Sequence, residues 1–352
     1  MVMILTVPLG TAYTDHLTRP ERPARLISAR TPWQEPHDPQ QLVQRGLEVD
    51  DLTRALRLLE SVGYYRVTGY LYPFLESEKQ VDDQGHTKIR VLNRYQPGTA
   101  LHHAEEIIDF DRQLRMLVME GVERIEVAVR MRIGYVLGRT SPFAHENPTC
   151  FDDSFTRANT DSRDPRPSKQ VLWLERVKQR RDGSDEQFVA HFRQKYDDHM
   201  PVWALTELLE LGHLSNLYQG MLQKDAEEVA TAFGIPQKKM MGSWLASLNY
   251  VRNVAAHHAR LFNRKLQNAP SRPAAGMVPL LDHLREPAAP KGDFGTYNAL
   301  AIIAYMLRPI EAERSWAPRL AELFRTFPTS HALSVQSMGV PEDWHTLDLW
   351  RG

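Results

Sequence analysis

The chain contains a single cysteine, Cys150. An intramolecular disulfide is therefore impossible, and a reducing compartment is the expectation. No apolar run approaches the ~20 residues that a bilayer-spanning helix needs, so no membrane contact is expected. The apolar Met1–Leu5 stretch lacks a basic leader and is too short for a secretory signal core. A cytoplasmic protein is expected. Net charge is almost absent, with 43 basic residues against 44 acidic ones. That balance excludes a bulk polycation and leaves any nucleic-acid contact to local patches. There is no phosphate-cradling Walker loop, no GxSxG elbow and no Cys/His zinc spacing. His102-His103 and His257-His258 are adjacent pairs whose side chains point different ways on a helix, so neither chelates a metal well. No cofactor is expected. Alternation of apolar and polar residues is also scarce, so any sheet is minor and the fold class is mainly α.

What is present is helical periodicity. From Thr99 to Leu137, Ile107, Phe110, Leu114, Leu117, Gly121, Ile125, Val129, Ile133 and Val136 recur at spacings of three and four, the pattern of a buried seam. Gly121 marks either a close approach of two helices or a break between them. Further helices are predicted over 39–61, with Asp50 as a cap and Gly63 as the stop. Others are predicted over 188–196, 202–211, 214–222, 226–233, 243–266, 298–307 and 316–324, with interruptions near Pro201 and Gly212. Ile89–Leu92 reads as a short strand or an irregular connection.

The rest divides the chain. Residues 1–31 read as an N-terminal arm, with Pro32 at the entry to the folded body. Residues 32–98 form a helical and aromatic segment packed on the bundle, and 99–352 the main helical domain. Tyr64, Tyr65, Tyr70, Tyr72 and Phe74 read first as core, with base stacking as the alternative. Residues 141–168 read as a long loop. The basic tract over 157–181, read as a loop, carries eight basic residues against three acidic ones; Arg176, Lys178, Arg180 and Arg181 within it are candidate RNA contacts, with a solvated helix face as the alternative. The proline-rich stretch 268–293 reads as a loop, and Trp344 and Trp350 are expected to pin the C-terminus.

The most informative stretch runs from Arg252 to Arg264 inside the predicted 243–266 helix. On a helix, Val251, Val254, Ala255, His258, Leu261 and Phe262 form an apolar stripe, which assigns His258 to packing. Asn253, His257, Arg260 and Arg264 form the opposite stripe, with Arg252 on its flank. That stripe holds no carboxylate. An imidazole moves protons near neutral pH, and guanidiniums grip phosphate oxygens with forked donors. Such a set suits chemistry on a phosphodiester without a metal. It suits equally a subunit interface or a solvated face.

The Arg252-Asn253-x-x-x-His257 pattern resembles the signature of the HEPN superfamily, many of whose members are metal-independent ribonucleases. The longer string, Ala256-His257-His258-x-Arg260-Leu261-Phe262-Asn263-Arg264, resembles the abortive-infection (Abi-like, AbiD/AbiF) bacterial defence family. Segments 63–70, 203–215 and 338–344 are similar to that family too, so the resemblance spans roughly Pro32 to Trp350. Family members often carry a cysteine just before the Ala-His-His; this chain has Ala255, which argues that no thiol takes part. The resemblance implies a HEPN-like helical bundle with N- and C-terminal embellishments. It implies an anti-phage endoribonuclease that cuts RNA by attack of the 2′-OH, working as a homodimer that brings two such motifs together. An inhibitory antitoxin or non-coding RNA is a further implied partner. On this reading Arg252 and His257 are catalytic, Asn253 orients His257, Arg260 either supports these residues from behind or contacts the RNA backbone, and Arg264 contacts RNA. Glu123 or Glu126 is a candidate to hold the catalytic Arg or His, against ordinary pairing of Glu126 with Arg130. The alternative is a non-catalytic HEPN protein that binds RNA or a protein partner.

Overall fold

The apolar seam forms one unbroken helix, Leu101–Thr140, whose inward face carries every position of the predicted series. At 1.5 Å per residue it is about 60 Å long, and the other helices gather along it. The structure, a computed structural model, describes residues 38–81, 85, 87–161, 165–285 and 295–351. The expected arm over 1–31, Arg163 and Asp164 of the basic tract, and Pro287 and Pro290 of the proline-rich stretch lie outside those residues.

In chain order, α1 (Gln40–Gln44) and α2 (Leu52–Val62) come first. The cap of α2 is Asp51 rather than Asp50: its carboxylate accepts from the backbone N–H groups of Thr53 and Arg54. Gly63, at φ 90°, ends α2 as expected and lets α3 (Tyr64–Tyr70) start at once. The hairpin of β1 (Leu75–Val81) and β2 (Thr87–Tyr95) is antiparallel and is the only sheet among the described residues. It extends the Ile89–Leu92 strand and leads into the long helix, α4.

After α4 the expected long loop contains two single 3₁₀ turns and α5 (Asp153–Thr156). The latter half of the basic tract is not loop. It is α6 (Lys169–Asp182), started by the Ser168 hydroxyl accepting from the Val171 N–H at 3.2 Å. α7 (Gln187–Lys195), α8 (Val202–Leu205) and α9 (Leu211–Gly220) follow. Gly212 does not interrupt a helix. The break falls just before it, and Gly212 lies in the first turn of α9, where its bare backbone leaves room for the Asn249 side chain. α10 (Gln223–Thr231) and α11 (Lys238–Ala256) precede the proline-rich stretch, which includes a 3₁₀ helix at Pro279–Arg285. α12 (Thr296–Leu307) and α13 (Trp316–Arg325) close the body.

Helices α3, α8, α9, α10, α11, α12 and α13 all pack on α4. One continuous apolar core runs from Leu42 to Trp350. The C-terminus is pinned as expected: Trp344 and Trp350 are buried around Phe324, and the Trp350 indole donates to the Tyr297 hydroxyl at 3.2 Å. Among the described residues no helix is long and apolar enough to cross a membrane.

Candidate functional site at the end of α11

Helix α11 stops at Ala256, ten residues short of the predicted end. The stop is a Schellman cap. The His258 N–H bonds the Ala255 carbonyl and the Ala259 N–H bonds the Val254 carbonyl, both at 3.0 Å. This geometry puts His258 in the left-handed region, at φ 57°. Glycine usually takes that position because it has no Cβ to clash. With a histidine there, the sequence carried no stop signal.

The early stop rearranges the expected face. Arg252 and Asn253 sit in the last turn of α11, half-buried, and the Arg252 guanidinium donates to the Asn253 side-chain oxygen at 3.2 Å. Asn253 thus holds Arg252, not the His257 imidazole; its link to His257 is the backbone bond from the His257 N–H at 3.0 Å. His257 occupies the C-cap and is exposed. Its imidazole makes no hydrogen bond among the described residues. His258, assigned to packing on helical geometry, is exposed instead.

Arg260 and Arg264 leave the helical stripe altogether. The Arg260 guanidinium is half-buried and donates to the Gly69 carbonyl of α3. Burial is the main reason its pKa falls below the usual guanidinium value. Arg264 folds back to donate to the Arg260 carbonyl at 2.8 Å. Both side chains therefore brace the turn. Leu261 and Phe262 are fully buried, as the stripe implied, but through a loop rather than a helix.

That loop is anchored by a residue the sequence reading missed. Asp111 of α4 is fully buried. One carboxylate oxygen accepts from the backbone N–H groups of Leu261 and Phe262, at 3.0 and 2.7 Å. The other accepts from the Tyr70 hydroxyl at 2.6 Å and from the Arg115 guanidinium. Burial, followed by the Asp111 charge, pushes the Tyr70 phenol up to about 12. The sequence held a signal. Asp111 stands four residues after Ile107 and three before Leu114, a carboxylate on the apolar seam. Such a group is kept only where donors surround it.

Glu126 takes the pairing with Arg130 that is the alternative to holding Arg252 or His257. It also accepts from the Leu211 N–H at 3.1 Å and so fixes the start of α9; Arg130 itself donates to the Leu209 carbonyl at 2.8 Å. Among the described residues Glu126 forms no bond to Arg252 or His257.

On the basic helix α6, Arg176, Lys178 and Arg180 are exposed. Arg181 is tied down by the Asp198 carbonyl at 3.1 Å and the Asp182 carboxylate at 3.0 Å. α6 packs on α9 through Trp173, whose indole donates to the His213 carbonyl at 3.0 Å. His213 is half-buried, and burial, with Arg176 and Arg180 adding to it against Glu210, lowers its pKa. Helix α9 therefore stands between the basic face and α11. The aromatic segment splits: Tyr70 and Phe74 are core, whereas Tyr65 and Tyr72 are 84% and 54% exposed.

Compared with known proteins, the chain matches the family model described as Abi-like protein over residues 57–263, more than half its length. That span contains α4, Asp111 and the whole capped turn. No curated protein matches, and no solved structure does.

Proposed function

The chain belongs to the Abi-like protein family, and from that premise we propose that it is a metal-independent endoribonuclease of the HEPN kind. The family points to abortive infection, in which a cell under phage attack arrests itself. The observation that carries the catalytic reading is the capped turn, which presents an exposed imidazole, His257, one and a half turns after a guanidinium that Asn253 holds in place.

The chemistry needs a base, an acid and a charge partner. The His257 imidazole takes the proton of a ribose 2′-OH as that oxygen attacks phosphorus. The bond from phosphorus to the 5′-oxygen breaks, and a second, protonated imidazole gives its proton to that leaving oxygen. The products are a 2′,3′-cyclic phosphate and a 5′-hydroxyl. The Arg252 N–H groups not used on Asn253 face the non-bridging oxygens, where negative charge builds. The second imidazole is the His257 of a second copy, so the working form is a homodimer acting on RNA. His258, exposed at the same turn, is a competing source within one chain.

Purified protein is expected to cleave RNA in EDTA, to leave cyclic phosphate ends and to spare DNA, which lacks the 2′-OH. His257→Ala and Arg252→Ala, each checked for folding, should lose about 10²-fold or more of the rate. Wild-type rates in both variants would sink the proposal. Activity recovered by mixing His257→Ala with Arg252→Ala chains would support two motifs in one site. A large loss in His258→Ala with none on dilution to monomer would assign the acid to His258 instead.

A further inference from the structure

Helix α11 has one main accessible stripe, with the half-buried Lys238 and Arg252 on its flank. Lys239 is exposed; Ser243, Ala246, Asn249, Tyr250, Asn253 and Ala256 are half-buried; His257 is exposed; the intervening Met240, Met241, Trp244, Leu245, Leu248 and Val251 are core. The spacing of three and four is that of a single helical face. From Lys239 to His257 it measures about 27 Å.

At the N-terminal end of this stripe lies a cavity of 660 Å³, bounded by Lys239, Ser243 and Gln219. Gln219 also lines an adjoining cavity of 320 Å³ between α9 and α6, whose other walls include Lys169, Arg176 and Asn216. Lys169, Arg176 and Lys239 form no ion pair among the described residues. Glu227, the one carboxylate in the lining of the two, accepts a bond from the Gln223 amide. The lining thus holds three cations outside any ion pair, a fourth, Lys238, paired with Asp152, a single carboxylate, and side-chain amides and hydroxyls that can donate or accept.

We propose that these two cavities and the accessible stripe of α11 form one track for single-stranded RNA, along which the strand reaches the His257 turn. The inference rests on the nuclease reading above for its direction and adds where the substrate is held. Lys239, Lys169 and Arg176 neutralise successive phosphates. Asn216 and Gln219 bond sugar and base edges, and Tyr250, midway along the stripe, offers a ring face to a base. A track of this length suits a strand of about four or more nucleotides, the lower end of single-strand site sizes. It also brings Arg176 of α6 into the substrate path despite the intervening α9, because the smaller cavity opens across the end of that helix at Gly220.

The test is binding of a fluorescein-labelled, 2′-O-methylated oligouridylate, read by anisotropy. The 2′-O-methyl group blocks attack, so binding is scored separately from cleavage of unmodified RNA. Lys239→Glu and Arg176→Glu should each weaken binding of a 12-mer several-fold and lower the salt dependence by about one ion per removed contact. Arg314→Glu, on the loop between α12 and α13, should bind as wild type does. Affinity should rise from a dinucleotide to the 12-mer. Unchanged binding in both track variants overturns the proposal, as does a dinucleotide that binds as tightly as the 12-mer, which would mark an isolated phosphate site. Absence of wild-type binding overturns it as well. If wild type binds along the track but leaves unmodified RNA intact, the track stands and the nuclease reading falls.

Discussion

At the scale of single residues, the site depends on two unusual placements. His258 holds a left-handed conformation that costs an ordinary L-residue about 1 kcal/mol relative to glycine. His258→Gly should therefore raise stability by up to about 1 kcal/mol in urea unfolding. If it also lowers RNA cleavage, the side chain is used in function and the strain is retained for it. A less stable His258→Gly protein would refute the strain argument. Asp111 is the second placement. Asp111→Asn leaves the buried Arg115 guanidinium without its carboxylate, and loss of one partner of a buried pair costs about 3–5 kcal/mol. Because the same carboxylate holds the Leu261 and Phe262 N–H groups, the variant should also slacken the turn and reduce cleavage. A measured loss below about 1 kcal/mol would show that water or rearrangement replaces it. Arg252, Asn253 and His257 were readable as a group from residue type and spacing. The role of Asp111 was not, because apart from Arg115 the groups it holds lie about 40 residues before it and 150 after.

At the scale of elements, α4 was legible almost to its ends because its seam repeats at spacings of three and four over about eight turns. Gly121 posed the one open question, and packing answers it. A Cβ there would stand 2.7 Å from Ile303 of α12 and 2.8 Å from the Trp316 indole of α13. That indole donates to the Leu117 carbonyl at 2.8 Å, one turn earlier on α4. Glycine is the surface on which two helices rest, not a break. Gly121→Ala gains about 1 kcal/mol of helix propensity but forces these neighbours apart, at about 1–3 kcal/mol. The net expectation is a less stable protein by thermal unfolding; a stabilised one would mean that α12 and α13 yield freely. α11 was misjudged for the opposite reason. Its apolar residues continue past Ala256 at helical spacing, yet Leu261 and Phe262 reach the core through the capped turn.

At the scale of the molecule, the core is continuous from α1 to the C-terminal tryptophans, so stability should be lost as a unit and should respond to buried titratable groups. His145, 4% exposed, is held neutral by burial, which lowers its pKa to about 4. Its folded value lies below the ordinary 6.5, so the stability it contributes is present above pH 6.5 and is lost as the pH falls toward 4. The effect amounts to roughly 3 kcal/mol. His145→Phe should flatten the stability profile over that window by about one proton, and an unchanged slope would assign the acid sensitivity elsewhere. The sequence by itself determined the mainly α class, the central seam, the family and the Arg-Asn-His group, because periodicity and motif spacing are local properties. Only the tertiary structure decided where α11 ends, that Arg260 and Arg264 brace the turn, and that Asp111 holds it. Those outcomes depend on donors and acceptors brought together from α3, α4 and the turn, and no local pattern records which distant backbone groups a buried carboxylate will satisfy.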